Sequence, residues 1–230
     1  MKGKNANVVL VHGAWADGSS WSKVIAGLSA QGVKAWAAPI PLTSLADDVA
    51  ALDRTLDRVD GPVILAGHAY AGAVIAGTRS AKVKALVYVT ALAPDMDETV
   101  ADVFSRAEPH PKAPKLVPDQ HGMIWLPEEA FAAAFAPNAS ADELRVLAAV
   151  QRPIAAPCIS VKVERPRWRD LPNWFLVAEH DHMILRETQV FMAERMKARV
   201  RMHRADHTPM VTAPGSVVDV ILDAARASVG

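Results

Sequence analysis

Only one cysteine, Cys158, occurs in 230 residues, so the chain cannot form an internal disulfide. Set between Pro157 and Ile159, the lone thiol reads as a small packing residue, and its solitude suits a reducing, cytoplasmic compartment. Excess charge of either sign is missing too: 25 Lys and Arg balance 25 Asp and Glu, and no basic run is longer than two residues. Nucleic acid or an anionic membrane would find no electrostatic footprint, which leaves a small molecule as the expected partner. No apolar stretch approaches the roughly 18 residues needed to span a bilayer. The polar start, Met1 to Asn7, runs into Val8 without the apolar core of a secretion signal, so a cytoplasmic protein is expected. Repeats and low-complexity tracts are also missing. What is present, 51% hydrophobic and 22% charged residues, is the material of one globular domain, as monomer or homodimer.

Short apolar runs alternate with amphipathic segments. Strands are expected at Val8 to Val11, Lys34 to Ala38, Pro62 to Ala66, Val83 to Thr90, Trp174 to Ala178 and Val200 to His203. Helices are expected at about Ser20 to Ala30, Ser44 to Val59, Tyr70 to Ser80, Glu187 to Lys197 and Ser216 to Ala227. Ser44 with Asp47, and Ser216 with Asp219, resemble capping boxes with Asp in the Glu place. Continuous apolar strands interleaved with helices imply a mostly parallel central sheet covered on both faces, an α/β class. The alternation stops after Pro94. Ten of the sixteen prolines lie from Pro94 to Pro166, among helical pieces at Glu98 to Arg106, Pro127 to Phe135 and Ser140 to Gln151, with no strand required. Such a segment suits a mainly helical cap over the carboxyl edge of the sheet, where open α/β sheets bind ligands.

The chemistry gathers at strand ends. Val63 to Val74 reads as a strand, a tight turn and a helix start, with Gly67-His68-Ala69-Tyr70-Ala71 in the frame of a G-x-S-x-G nucleophile turn. Small residues are needed there because helix and strand come close, and Gly67, Ala69, Ala71 and Gly72 meet that need. Ala69 stands where serine is expected and Ala71 where the last glycine is expected; only the first change removes chemistry. Upstream, Val8 to Val11 ends in His12-Gly13-Ala14-Trp15, from which the Ala14 amide would converge with the Tyr70 amide on a carbonyl oxygen. Downstream, Asp181 follows one strand and His207 another, in the order nucleophile, acid, histidine, so that Asp181 would orient His207.

Val-His-Gly-Ala-Trp, Gly-His-Ala-Tyr-Ala-Gly-Ala-Val-Ile and the two carboxyl-terminal motifs together resemble the small α/β-hydrolases akin to pyrethroid-type esterases, plant methylesterases and hydroxynitrile lyases. The resemblance covers residues 1–93 and 170–230 as the core and is weaker over the cap, 94–169. It implies an α/β-hydrolase fold and hydrolysis of a carboxylic ester or related acyl compound, without cofactor or metal. The implied parts are the Ala69 position, Asp181, His207 and the Ala14 and Tyr70 amides. Trp15, Met96, Met123 and Trp125 are candidates for the substrate pocket.

Blander roles compete at each position. The Gly67 to Gly72 turn could be an ordinary βα turn, and His207 a structural histidine. Asp95 is a rival acid, since it also follows a strand. His180, His182, His203 and Asp206 lack the spacing of a metal site, and His12 and His68 suit turn packing. Three functions stay open: an esterase-type hydrolase inactivated by Ala69, an enzyme using His207 and Asp181 as a non-covalent general base, as in lyase or cofactor-free oxygenase chemistry, and a binding protein that keeps only the pocket.

Overall fold

The computed structural model describes residues 6–229; residues 1–5 of the polar start lie outside them. The six expected strands form one sheet. They are β1 (Asn7–Val11), β2 (Lys34–Ala38), β3 (Val63–His68) and β4 (Val83–Val89), and, beyond the short β5 (Met123–Ile124) and β6 (Ile154–Ala155), β7 (Asn173–Ala178) and β8 (Arg199–His203). The order is β2-β1-β3-β4-β7-β8, parallel throughout. Residues of β3 and β7 are buried along their whole length, whereas Lys34 on β2 and Arg199, Val200 and Met202 on β8 are exposed. That contrast is what separates central strands, apolar on both faces, from edge strands.

The helices are α1 (Ser22–Ala30), α2 (Leu45–Asp57), α3 (Ala71–Gly77), α4 (Val100–Phe104), α5 (Glu128–Ala130), α6 (Ala141–Ala149), α7 (Pro157–Ser160), α8 (Arg186–Arg195), α9 (Pro209–Thr212) and α10 (Pro214–Ser228). Right-handed crossovers decide their faces. The chain moves one way along the sheet from β1 to β2 and the other way through β3, β4, β7 and β8. So α1, with α10 packed on it, covers one face, and α2, α3 and α8 cover the other. The reversal falls between β1 and β3, which pair from Asn7 with Val63 to Val11 with Gly67. Loops leaving these two strands face each other there, the usual ligand position in an open α/β sheet.

Local chemistry accounts for most helix starts. Ser44 caps α2 by accepting from the Asp47 amide (3.0 Å), although Asp47 turns its carboxylate to the Ser44 and Thr43 hydroxyls rather than to the backbone. Full capping boxes start α4, through Thr99 and Asp102, and α6, through Ser140 and Glu143. The expected box at Ser216 is absent, because Pro214 at the first helical position starts α10 earlier and the Ser216 hydroxyl donates back to Ala213. Between β4 and β7 the regular structure is mostly short helix, α4 to α7, joined by irregular stretches such as residues 105–122, so the expected mainly helical cap is helical only in part, and two further departures stand out. A two-residue antiparallel pair joins β5 to β6, and Phe131–Phe135 forms a π-helical turn that buries both phenylalanines. No helix among the described residues is long and apolar enough to cross a membrane.

Candidate active site

At the end of β3 the backbone turns sharply into α3, and Ala69 takes the left-handed region at φ 48°. For a residue with a Cβ this costs roughly 1–2 kcal/mol, and it persists because the surroundings hold it. The Ala69 carbonyl accepts from Gly72 (3.1 Å) and Leu92 (2.9 Å), which ties the turn to the end of β4. Space leaves no alternative at Gly72, where a Cβ would lie 2.2 Å from the Leu92 carbonyl oxygen. Across the switch point, a Cβ on Gly13 would sit 2.9 Å from both Ala69 Cβ and the His68 carbonyl oxygen. Trp15, just beyond, is also left-handed at φ 59° and donates its amide to Arg152 in the cap (2.9 Å).

His207 and Asp181 meet as the sequence suggested. Nδ1–H of His207 donates to Asp181 Oδ2 at 2.8 Å, both side chains being buried. This tautomer leaves the Nε2 lone pair free to act as a base. Asp181 is held by more than the histidine: Oδ1 accepts from the Met183 (2.7 Å) and Ile184 (2.9 Å) amides, and Oδ2 from Gln189 Nε2 (3.0 Å). Four N–H donors fill a carboxylate's acceptor sites and point its charge at the imidazole. Gln189 is itself pinned, accepting from the Ala178 amide (3.0 Å) and donating to the Ile184 carbonyl (2.7 Å). The His207 carbonyl accepts from His68 Nε2–H (2.7 Å) and the Thr90 hydroxyl (3.1 Å), fastening its loop to the ends of β3 and β4. Asp206, beside it, accepts from the Asn138 amide of the cap (2.9 Å), and Phe135 packs on the imidazole at 5.3 Å. The rival Asp95 is engaged by Arg169 at 2.8 and 2.6 Å and makes no contact with His207.

Neither the Ala14 nor the Tyr70 amide donates to a described acceptor. Both residues line one cavity of about 210 Å³ with Ala69 and His207. Its walls are apolar: Leu92, Val100, Phe104, Leu116, Ile124, Ile154, Ile159, Met183 and Ile184. Among the described residues no charged side chain and no Ser, Thr or Cys lines it, so none of them replaces the hydroxyl that Ala69 lacks. A larger hollow of about 520 Å³ lies between α2, α3 and residues 161–166 and contains none of these groups, which leaves the smaller cavity as the candidate site.

Of the four pocket candidates, Trp15 lines the cavity and donates its indole N–H to the Ile124 carbonyl (2.9 Å). Met96, Met123 and Trp125 do not line it. Met96 is 54% and Trp125 49% exposed, the latter donating its indole N–H to Asp119, and Met123 lies in β5 beside the lining residue Ile124. Size and apolarity suggested them, but the turn of each cap segment decides which residues face inward. His180 and His203 are exposed, and His182 stacks on His110 with ring centroids 4.0 Å apart. His12 and His68 are buried turn histidines, each held neutral because burial lowers its basicity.

Residues 8–220 match the Alpha/beta hydrolase family. No curated protein sequence matches the chain. Among solved structures, a mutant of polyneuridine aldehyde esterase is similar with TM-score 0.81 and 19% identity, over 95% of this chain and 98% of that one. A pyrethroid hydrolase from Sphingobium faniae JZ-2 gives 0.80 and 21%, over 96% and 98%. A tomato methylketone synthase I variant complexed with beta-ketoheptanoate gives 0.79 and 18%, over 95% and 97%.

Proposed function

Because the chain belongs to the alpha/beta hydrolase family, we propose that it carries an esterase-type site for a small neutral carboxylic ester or related acyl compound, inactivated for acyl transfer by Ala69. The observation that carries this reading is the His207–Asp181 pair at 2.8 Å, opening on the same cavity as the two unengaged amides. Two N–H groups left without an acceptor at one cavity are suited to a carbonyl oxygen that gains negative charge, and a base whose proton acceptor is free is suited to activating a nucleophile. The strained φ at Ala69 supports the same reading, since glycine would relieve it in a turn with no catalytic past. An uncharged, apolar lining selects a neutral ligand, and about 210 Å³ is small beside the roughly 300–1,000 Å³ of drug-sized sites. No cofactor enters this reading, and the assumed setting is a monomer or homodimer in the cytoplasm.

One observation favours a second reading. Among the described residues no Ser, Thr or Cys lines the cavity and the Tyr70 hydroxyl is taken up by Asp48, yet Asp181 still orients His207, which a mere receptor would not need. The dyad could then take a proton from a bound carbonyl compound with no covalent step. A tomato methylketone synthase variant of the same fold is complexed with beta-ketoheptanoate, and neutral β-carbonyl compounds, which suit the apolar lining, form the second panel.

The test is Ala69→Ser assayed on short-chain aryl esters. Loss of the nucleophile alone costs on the order of 10⁴ to 10⁶ in kcat, so the serine should recover most of that factor, roughly 5 to 8 kcal/mol of transition-state stabilisation. Adding His207→Ala should abolish the gain. A folded Ala69→Ser protein without gain on any ester in a broad panel would defeat the reading. Turnover of a non-ester by the protein as it stands, dependent on His207 and indifferent to Ala69→Ser, would establish the second reading instead.

A further inference from the structure

Asp48, on the first turn of α2, is fully buried, and no basic side chain pairs with it among the described residues; its charged neighbour is another acid, Asp47. Three donors converge on it. The Leu42 amide donates to Oδ1 (2.6 Å), the Tyr70 hydroxyl to Oδ2 (2.7 Å), and the Cys158 thiol to Oδ2 (3.7 Å). Each leads to the site. Tyr70 supplies the second unengaged amide and lines the cavity. Leu42 is left-handed at φ 61°, and its carbonyl accepts from the Ala155 amide of β6 (3.0 Å), next to the lining residue Ile154. Cys158 lies in α7 beside the lining residue Ile159.

We propose that Asp48 is a positioning residue, which holds the Tyr70 amide at its angle to the carbonyl oxygen and fastens the cap segments of β6 and α7 over it. The chemistry of the donor set supports a carboxylate. Only an acceptor on both oxygens serves three donors at once, whereas an asparagine would turn an N–H toward one of them. Burial, then the Asp48 charge, pushes the Cys158 thiol up to about 12, so it stays a protonated donor rather than a reactive thiolate. Moving the carboxylate would therefore shift the floor of the cavity, at Tyr70, together with its roof, at Ile154 and Ile159.

The inference rests on the acyl-site reading, and two arms keep their failures apart. In the Ala69→Ser background, kcat and KM on a short-chain aryl ester are measured for Tyr70→Phe, Asp48→Asn and both together. A misplaced donor costs up to about 100-fold, so Tyr70→Phe should lower kcat by about 10- to 100-fold with KM little changed. Asp48→Asn, which can still bond the phenol by donating to it, should lose less, and the double variant should be no slower than Tyr70→Phe alone. An unchanged kcat in folded Tyr70→Phe, or a raised KM at constant kcat, overturns the proposal. The second arm uses the protein as it stands. Asp48→Asn should speed amide hydrogen exchange at Ala155 by about tenfold or more while Val87 in β4 stays protected; no change at Ala155 overturns the cap part of the proposal. If Ala69→Ser shows no ester activity, the acyl-site reading has failed, and the exchange arm alone decides whether Asp48 ties the cap to the turn.

Discussion

Acidification from pH 7.5 to 5.5 should destabilise the fold through two imidazoles next to the candidate-site turns. His68 Nε2–H donates to the His207 carbonyl, and its Nδ1 is buried without a partner among the described residues. His12 donates Nδ1–H to the Gly13 carbonyl (2.9 Å), and its Nε2 is likewise buried and unpartnered. A second proton on either ring would be a charge in a site that cannot solvate it. Burial holds His68 well below the ordinary 6.5 and lowers His12 as well. A base whose folded value is depressed stabilises the fold fully above its unfolded value and loses that contribution as pH falls through the gap, because only the unfolded chain takes up the proton. Below 6.5 each such histidine costs about 1.4 kcal/mol per pH unit. His68 alone should thus remove about 1.4 kcal/mol by pH 5.5, and His12 adds to the loss in the same direction. In a domain of this size the His68 part alone lowers Tm by roughly 3–6 °C. The assay is thermal or urea unfolding at both pH values for the parent and His68→Gln, whose amide can keep the bond to the His207 carbonyl without titrating. The variant should lose at least about 1 kcal/mol less than the parent over this interval. An equal loss in a folded His68→Gln protein would refute the reasoning.

Other perturbations follow from the same geometry. Gly72→Ala should destabilise by at least about 3 kcal/mol, because its Cβ meets the Leu92 carbonyl oxygen at 2.2 Å rather than a movable side chain. Gly215→Ala, with nothing within 4 Å of the new Cβ, should instead be neutral or stabilising by about 0.5–1 kcal/mol in urea unfolding. Gln189→Leu should cost about 3 kcal/mol or more, since it strips partners from the Ala178 amide, the Ile184 carbonyl and Asp181 together. In the Ala69→Ser background it should also lower kcat, and an unaltered kcat would show that Asp181 needs no such support.

The sheet was legible because β-branched and apolar runs such as Val8–Val11 and Val63–Ala66 carry their own signal, and right-handed crossovers then leave few topologies. The His207–Asp181 pair was legible for a related reason: each member directly follows a strand, and parallel strands deliver their ends to one edge. Two-residue strands such as β5 and β6 have no periodicity to detect, and nothing local distinguishes the π-helical turn at Phe131–Phe135 from an α-helix. Pocket residues were the least legible. Met96, Trp125, Leu116 and Ile159 are all apolar, and whether each faces inward depends on contacts made tens of residues away. Asp48 was also silent, for an acid at a helix start reads as an ordinary first-turn charge until its burial is seen.

The half of the site that would receive a carbonyl oxygen is made of main-chain amides, at Ala14 and Tyr70. No codon change at those positions, short of proline, deletes an amide, whereas the nucleophile position depends wholly on its side chain. Alanine and serine codons are a single base apart. A lineage carrying this turn therefore sits one mutational step from a hydroxyl at Ala69, with the receiving groups retained in either state. Under the proposed acyl-site reading, that one position separates a cavity that holds a compound from one that turns it over.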